Sequence, residues 1–313
     1  MLDTLIQIKK RAIITIVFIM IFYVALVVYS DATQLLHNLK NIDLLLIFPI
    51  LLSVTASIFI KSLRQYFLLK RLNLRVPLKQ NIVIYLASLS MLATPASIGG
   101  VIKSKFFLRK FNIPISKTIP IVIVERYHDV LALFSFIVLF SILGNFEVPK
   151  IPILAIGIIL LVLVIIAKNK AILNFIIRKI DKVRFLKFLT KDSKFDFVYA
   201  FPTLLKNKNI VMTWMLSCFA WSFDSLGIYL CFNAFKLNFD FISTTAIGLT
   251  SLLFGSLSFL PGGVGLTELS FVKFLISRGQ DLATASALVL FIRLTSIWYC
   301  TCVGFIAIKP ASK

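Results

Sequence analysis

The run Glu125-Arg126-Tyr127-His128-Asp129 puts two carboxylates, a guanidinium and an imidazole within little more than one helical turn of an otherwise apolar segment. Glu125 and Asp129 are four residues apart and share a helix face, and Arg126 and Asp129, three apart, can pair. In lipid, a charge at the centre of a span costs about 2.5–3.5 kcal/mol, so such groups face partners or water and mark functional sites by default. The chemistry on offer is anion binding, with Arg126 contacting a phosphate and Glu125 and Asp129 orienting it. An ion cluster that locks the helix to its neighbours explains the same residues, and both readings stay open. His128 adds an imidazole that can relay protons, or simply pack. Arg293 is a second deep arginine and a second candidate for phosphate contact; it needs a carboxylate to orient it, and Glu268 is the first choice of partner and Asp224 the other.

These charges must be positioned by the elements around them, and two broken segments stand out. One reads Ser90-Met-Leu-Ala-Thr-Pro95-Ala-Ser-Ile-Gly99-Gly100, the other Ser256-Leu-Ser-Phe-Leu-Pro261-Gly262-Gly263-Val-Gly265. Arg126 follows Pro95 by 31 residues and Arg293 follows Pro261 by 32. Corresponding broken helices in the two halves of a membrane protein point to a transport site at the repeat interface. Pro95 and Pro261 set the breaks, while Gly99, Gly100, Gly262, Gly263 and Gly265 allow turns that other residues resist. Each break is expected to open a half-helix whose N-terminal N–H groups favour an anion. Lys103 and Lys105 follow the first turn; they can draw a headgroup inward, although snorkelling to the interface is the plainer reading.

Composition makes the membrane assignment nearly unavoidable. Hydrophobic residues form 59% of the 313-residue chain and mean hydropathy is +0.96, far above a soluble protein. Runs long enough to cross a hydrocarbon core of about 30 Å are expected at residues 12–29, 44–60, 119–143, 151–167, 210–235 and 283–308, with hairpins at 82–107 and 241–276. Cys218, Cys231, Cys300 and Cys302 fall in apolar segments and read as packing residues. No metal-ligand spacing, cofactor fingerprint or nucleophile elbow is visible. The net charge of +21 reports topology and contact with anionic headgroups rather than nucleic acid.

Basic residues then set the orientation. Lys9, Lys10 and Arg11 place the N-terminus inside, and residues 61–79, with six basic residues and no acid, also lie inside. Were 82–94 a full crossing, Lys103, Lys105, Arg109, Lys110 and Lys117 would all face outward. A dip-and-return hairpin keeps them inside. By the same logic 168–208 is a basic cytoplasmic loop with an amphipathic surface helix, 241–276 dips from the opposite face, and Lys309 and Lys313 end inside. This places 27 of the 34 basic residues on the cytoplasmic side. The expected fold is all-α, with about six spans and two re-entrant hairpins in an inverted repeat, N-in and C-in. It forms one integral membrane domain, residues 1–313, with repeats at about 44–167 and 209–308.

Residues 92–131, with Pro95, Gly99-Gly100, Glu125-Arg126 and Asp129, resemble the first motif of the lysylphosphatidylglycerol synthase transmembrane (flippase-like) family. Residues 259–304, with Pro261-Gly262-Gly263-Val-Gly265, Glu268, Arg293 and Gly304, are similar to its second motif, the more specific of the two. In the first, Ala96-Ser97-Ile98 replaces a glycine-rich form. Members include the membrane half of a bacterial peptide-resistance factor, which moves aminoacylated phosphatidylglycerol between leaflets. Others accompany glycosylation or polyprenol-lipid pathways. The resemblance implies a lipid translocase in the cell membrane, a transporter rather than an enzyme, without the soluble aminoacyl-transferase domain and with membrane lipids as partners. Two alternatives remain at this stage. One is a membrane enzyme acting on a lipid phosphate through Glu125, His128 and Asp129; the other is a scaffold docking a separate glycosyltransferase on the basic loop. The topology is testable by single cysteines at Lys105 and Arg109 in a cysteine-free background. Impermeant maleimide should label both from the cytoplasmic side only, and labelling from outside alone would contradict the dip-and-return reading.

Overall fold

The computed structural model describes residues 23, 24, 28, 31–92, 99–143, 150–180, 194–258 and 260–312. The expected first span at 12–29 and the break at Pro95 fall almost wholly outside them, as does most of the short loop at 145–150. The described chain is helical. A short α1 (Ala32–Lys40) leads to α2 (Ile47–Arg71), then the pair α3 (Leu78–Leu89) and α4 (Gly99–Phe111), and the long α5 (Ile115–Leu143). After α6 (Lys150–Lys168) come α7 (Lys170–Ile180) and α8 (Lys194–Leu204) in the basic region, then α9 (Asn207–Ala234). A second pair, α10 (Phe241–Leu257) and α11 (Leu266–Ile276), precedes α12 (Leu282–Arg293), a π-helical segment (Leu294–Trp298) and α13 (Tyr299–Ser312).

Among the described residues, five helical stretches are long and apolar enough to cross a membrane: Leu44–Arg71, Ile115–Leu143, Ile151–Lys168, Asn207–Ala234 and Leu282–Ser312. They match five of the six expected spans. Their outward sides carry exposed Ile142, Ile151, Leu154, Leu161 and Ile306, an apolar surface that a soluble chain would not present on this scale.

One boundary differs instructively. The sequence reading ends the second span at residue 60 and assigns Lys61 and Arg64 to a cytoplasmic loop. In the structure α2 runs on to Arg71, with Arg64 1% exposed. Both cations are helical because carboxylates on other helices receive them.

Each broken pair folds as two helices lying against one another. In the second, Gly262, Gly263 and Gly265 take φ of 59°, 69° and 95°, so the sharp reversal before α11 uses backbone that only glycine enters cheaply. Gly255 near the end of α10 lies so close to Thr267 that a Cβ there would overlap its hydroxyl. The helices on either side of this pair sit beside one short stretch: Asp43 N donates to Ala234 O, the last residue of α9, at 3.1 Å. Asn38 Nδ2 donates to Thr284 Oγ1 in the first turn of α12 at 2.9 Å.

In the first pair Gly99 and Gly100 are the opening residues of α4. Gly100 is small because a Cβ would strike Val122 of α5. Asp240 and Asp281 cap α10 and α12 through Ser243 N and Thr284 N, each at 2.8 Å.

The core has layers. One apolar cluster gathers Ile50, Leu133, Ile137, Ile228 and Phe232; a second gathers Leu68, Leu69, Val124, Leu204 and Leu205. On α2, α5 and α9 a polar stretch lies between residues of the two clusters, and those stretches face each other.

The two halves of the chain also meet directly. A Cβ on Gly304 of α13 would overlap the backbone of Leu89 and Ser90 at the end of α3. Replacing Gly304 by alanine should therefore lower stability by about 1–3 kcal/mol through overpacking, and leucine by more. Thermal or detergent denaturation reads this, and an unchanged Tm for both variants would contradict the close contact.

Candidate functional site

Ser57, Lys61, Arg64 and Gln65 recur at helical spacing and form one polar stripe on α2. Thr213, Ser217 and Asp224 form a second stripe on α9, and Glu125, His128 and Asp129 a third on α5. Where the three helices meet, the stripes pair into rungs.

Lys103 Nζ of α4 lies 2.6 Å from Glu125 Oε2 and 2.8 Å from Gln65 Oε1. Gln65 in turn donates to Asn81 Oδ1 at 2.8 Å, and Asn81 donates to the carbonyl of Ser62 at 2.8 Å. Arg64 Nη1 lies 2.6 Å from Asp129 Oδ1 and 2.6 Å from Ser217 Oγ. Lys61 Nζ lies 2.6 Å from Asp224 Oδ2, which also accepts from Ser57 Oγ at 2.8 Å.

In the second half, Arg293 Nε lies 2.6 Å from Glu268 Oε1, with side chains 3% and 0% exposed. Tyr23 OH donates to the same oxygen at 3.3 Å, and Gly265 N donates to Glu268 Oε2 at 2.7 Å. Arg293 Nη2 also reaches Gly263 O, at 3.5 Å. The carboxylate thus joins three elements.

This arrangement redistributes the roles expected from sequence. Arg293 does take Glu268, while Asp224 goes to Lys61. Lys103 does not snorkel: it is 7% exposed and paired, because Glu125 and Gln65 offer a buried seat. Asp129 takes Arg64 as its close partner, and Arg126 stands 3.9 Å away. The anion expected at the N-terminus of α11 is the protein's own Glu268, which occupies the position that helix amides offer to a negative group. His128 is held at both ring nitrogens, by Val124 O and Thr213 Oγ1, each at 2.7 Å. A carbonyl only accepts, so Nδ1 carries a proton, while the Thr213 hydroxyl lies 2.7 Å from both Nε2 and Asn209 O.

The two half-helices use one device with opposite signs. In the first broken pair the cation, Lys103, is on the half-helix and the acid, Glu125, on the helix that follows it. In the second the acid, Glu268, is on the half-helix and the cation, Arg293, on the helix that follows. Breaking such a pair by removing one member costs about 3–5 kcal/mol, because the other charge stays buried and bare.

Around the three helices, Lys61, Arg64, Lys103 and Arg126 face Glu125, Asp129 and Asp224. Four cations meet three carboxylates, so one positive charge is in excess. It falls to Arg126, whose side chain is 54% exposed. Among the described residues no group of histidine, cysteine or carboxylate side chains could hold a metal ion. The arrangement can keep the broken helix pairs fixed while offering one guanidinium to an oxyanion.

Residues 12–304 match the family model described as the lysylphosphatidylglycerol synthase TM region. The chain is similar to a UPF0104 membrane protein of Pyrococcus horikoshii, 24% identical over 310 residues that cover 91% of this chain and 92% of that one. A UPF0104 membrane protein of Methanocaldococcus jannaschii is 26% identical over 327 residues, covering 96% and 95%. One of Methanothermobacter thermautotrophicus is 35% identical over 92 residues, covering 29% and 28%.

The exposures predict chemical reactivity. Phenylglyoxal applied to the native protein in nanodiscs should modify Arg126, while Arg64 and Arg293 react only after unfolding, as read by mass spectrometry. Equal native labelling of all three would contradict the burial described.

Proposed function

The chain belongs to the lysylphosphatidylglycerol synthase transmembrane-region family of multi-pass membrane proteins, whose name points to a lipid-related role, and from that premise we propose that it is a lipid translocase. It passes a phosphate-bearing lipid or polyprenol-linked headgroup between leaflets while the acyl chains stay in the bilayer. The observation that carries this reading is the excess positive charge on Arg126, exposed at the margin of a polar seam between apolar layers. A phosphate is the natural counterion for a guanidinium so placed. Arg64 and Asp129 aim Arg126. Lys103–Glu125 and Arg293–Glu268 hold the half-helices at the depth where the headgroup crosses.

In this reading α3–α4 and α10–α11 are re-entrant hairpins entering from opposite faces of the cell membrane, with both termini inside. The bias of basic residues supports that orientation. The end of α9 and the start of α12, the helices that flank α10 and α11, both lie beside residues 38–43, which supports a return to the face of entry. On the cytoplasmic side, α7 carries Lys170, Arg178 and Lys179 with an exposed Phe175. These suit an anionic leaflet, where each Lys or Arg near the surface contributes about 1 kcal/mol.

The test is transbilayer exchange of a labelled phospholipid in liposomes. The protein should accelerate exchange, and Arg126→Ala should slow it about tenfold, the loss expected for one charge-assisted hydrogen bond, with unchanged Tm. Exchange no faster than in empty liposomes would overturn the proposal.

A further inference from the structure

The pair Lys61–Asp224 is at odds with a purely structural role. Lys61 lies ten residues before the end of α2 at Arg71, about 15 Å along the axis at 1.5 Å per residue. Lys61 therefore lies well inside a helical stretch long and apolar enough to cross a membrane, Leu44–Arg71. A latch at that depth does best when closed, as Arg293–Glu268 is. Yet the Lys61 and Asp224 side chains remain 17% and 18% exposed.

Their hydrogen bonding is unbalanced as well. The Lys61 ammonium, with three protons, donates to Asp224 Oδ2 alone and rests over the Trp221 ring at 4.2 Å. Asp224 Oδ2 already accepts from both Lys61 and Ser57. The Trp221 indole N–H is buried with no acceptor. The remaining ammonium protons and the buried indole N–H have no acceptor among the described contacts, in a partly open position one helical turn from the Arg64–Asp129 rung. A site with spare N–H donors and a positive centre takes an oxyanion.

We infer that Lys61 and Trp221 form a second phosphate-binding station, in which Lys61 swings from Asp224 and the indole face toward the oxyanion of a headgroup, while Ser57 keeps Asp224 in place. The inference rests on the translocase reading, since it supplies the next contact for a headgroup leaving Arg126. It adds a binding site on α2 and α9, apart from both broken-helix pairs. The ligand chemistry is a phosphate ester, and two sources share it: a lipid headgroup arriving from the bilayer and a phosphate arriving from water.

The test uses the full chain in detergent micelles, labelled with 5-fluorotryptophan. Its three tryptophans give three fluorine resonances, and Trp221→Phe assigns the relevant one. Dihexanoyl phosphatidic acid is titrated in one arm and inorganic phosphate in the other. The Trp221 resonance should shift saturably as the ammonium leaves the ring. Lys61→Gln paired with Asp224→Asn removes both charges without stranding either, and should weaken the apparent affinity about tenfold or more. A response to the lipid alone supports a headgroup station reached from the bilayer; a response in both arms supports a phosphate station open to water. No shift, an unchanged titration in the double variant, or an equal shift of all three resonances would overturn the inference. Exchange in liposomes with no shift at Trp221 would overturn this station and leave the translocase standing. A shift without exchange would do the reverse.

Discussion

A charge placed in hydrocarbon must meet an opposite charge, and this molecule is organised around that requirement. Desolvating a lone lysine or carboxylate at mid-membrane is costly enough to reverse insertion of its helix. The chain nevertheless sets Lys61, Arg64 and Arg293 within long apolar helices and Lys103 on a half-helix packed among them. They are tolerated because Asp224, Asp129, Glu268 and Glu125 come to 2.6 Å of them from other helices. The pairs therefore specify which helices are neighbours and at what register, a task that apolar contacts between lipid-like side chains do poorly. Each broken pair of helices is tied by one such bond to the helix that follows it.

Opposite polarity in the two broken pairs has a physical consequence. The half-helix α11 carries the carboxylate, which takes the amide of Gly265 at its own N-terminus. The half-helix α4 carries the ammonium, and its carboxylate partner comes from α5. The second pair is thus internally neutralised, while the positive excess falls on α5, on Arg126. A translocation path with this asymmetry would hold an anionic headgroup more tightly near one break than near the other. It would release the headgroup where Glu268 already fills the helix N-terminus.

Much of this was legible in the sequence, and the failures share one cause. The apolar runs from 119 to 143 and from 151 to 167 correspond to α5 and α6 because long hydrophobic stretches leave little choice of structure in lipid. The Arg293–Glu268 pair was also legible, since a deep arginine needs an acid and acids are scarce here. Lys61 and Arg64 were missed because charge was taken to end a span. The signal was there in the spacing of Ser57, Lys61, Arg64 and Gln65, which continues one helix face past residue 60. Lys103 was placed at the interface because the acceptors that bury it, Gln65 and Glu125, lie 38 and 22 residues away. The Arg64–Asp129 pair spans 65 residues, and Arg64–Ser217 spans 153. Such separations are fixed by packing and not by local pattern. Gly304 gave no clue to its purpose either, because the backbone it admits, at Leu89 and Ser90, lies in the other half of the chain.

The central claim is that buried ion pairs hold the broken helices against the helices that follow them. A double-mutant cycle on Glu268 and Arg293 tests it most directly, using Glu268→Gln, Arg293→Met and the double variant, with unfolding free energies measured in detergent or bicelles. The account predicts that each single variant loses about 3–5 kcal/mol and that the double loses far less than their sum, with a coupling at or above the upper end of about 0.5–3 kcal/mol. Single losses within about 0.5 kcal/mol that simply add, as for unconnected surface positions, would contradict it.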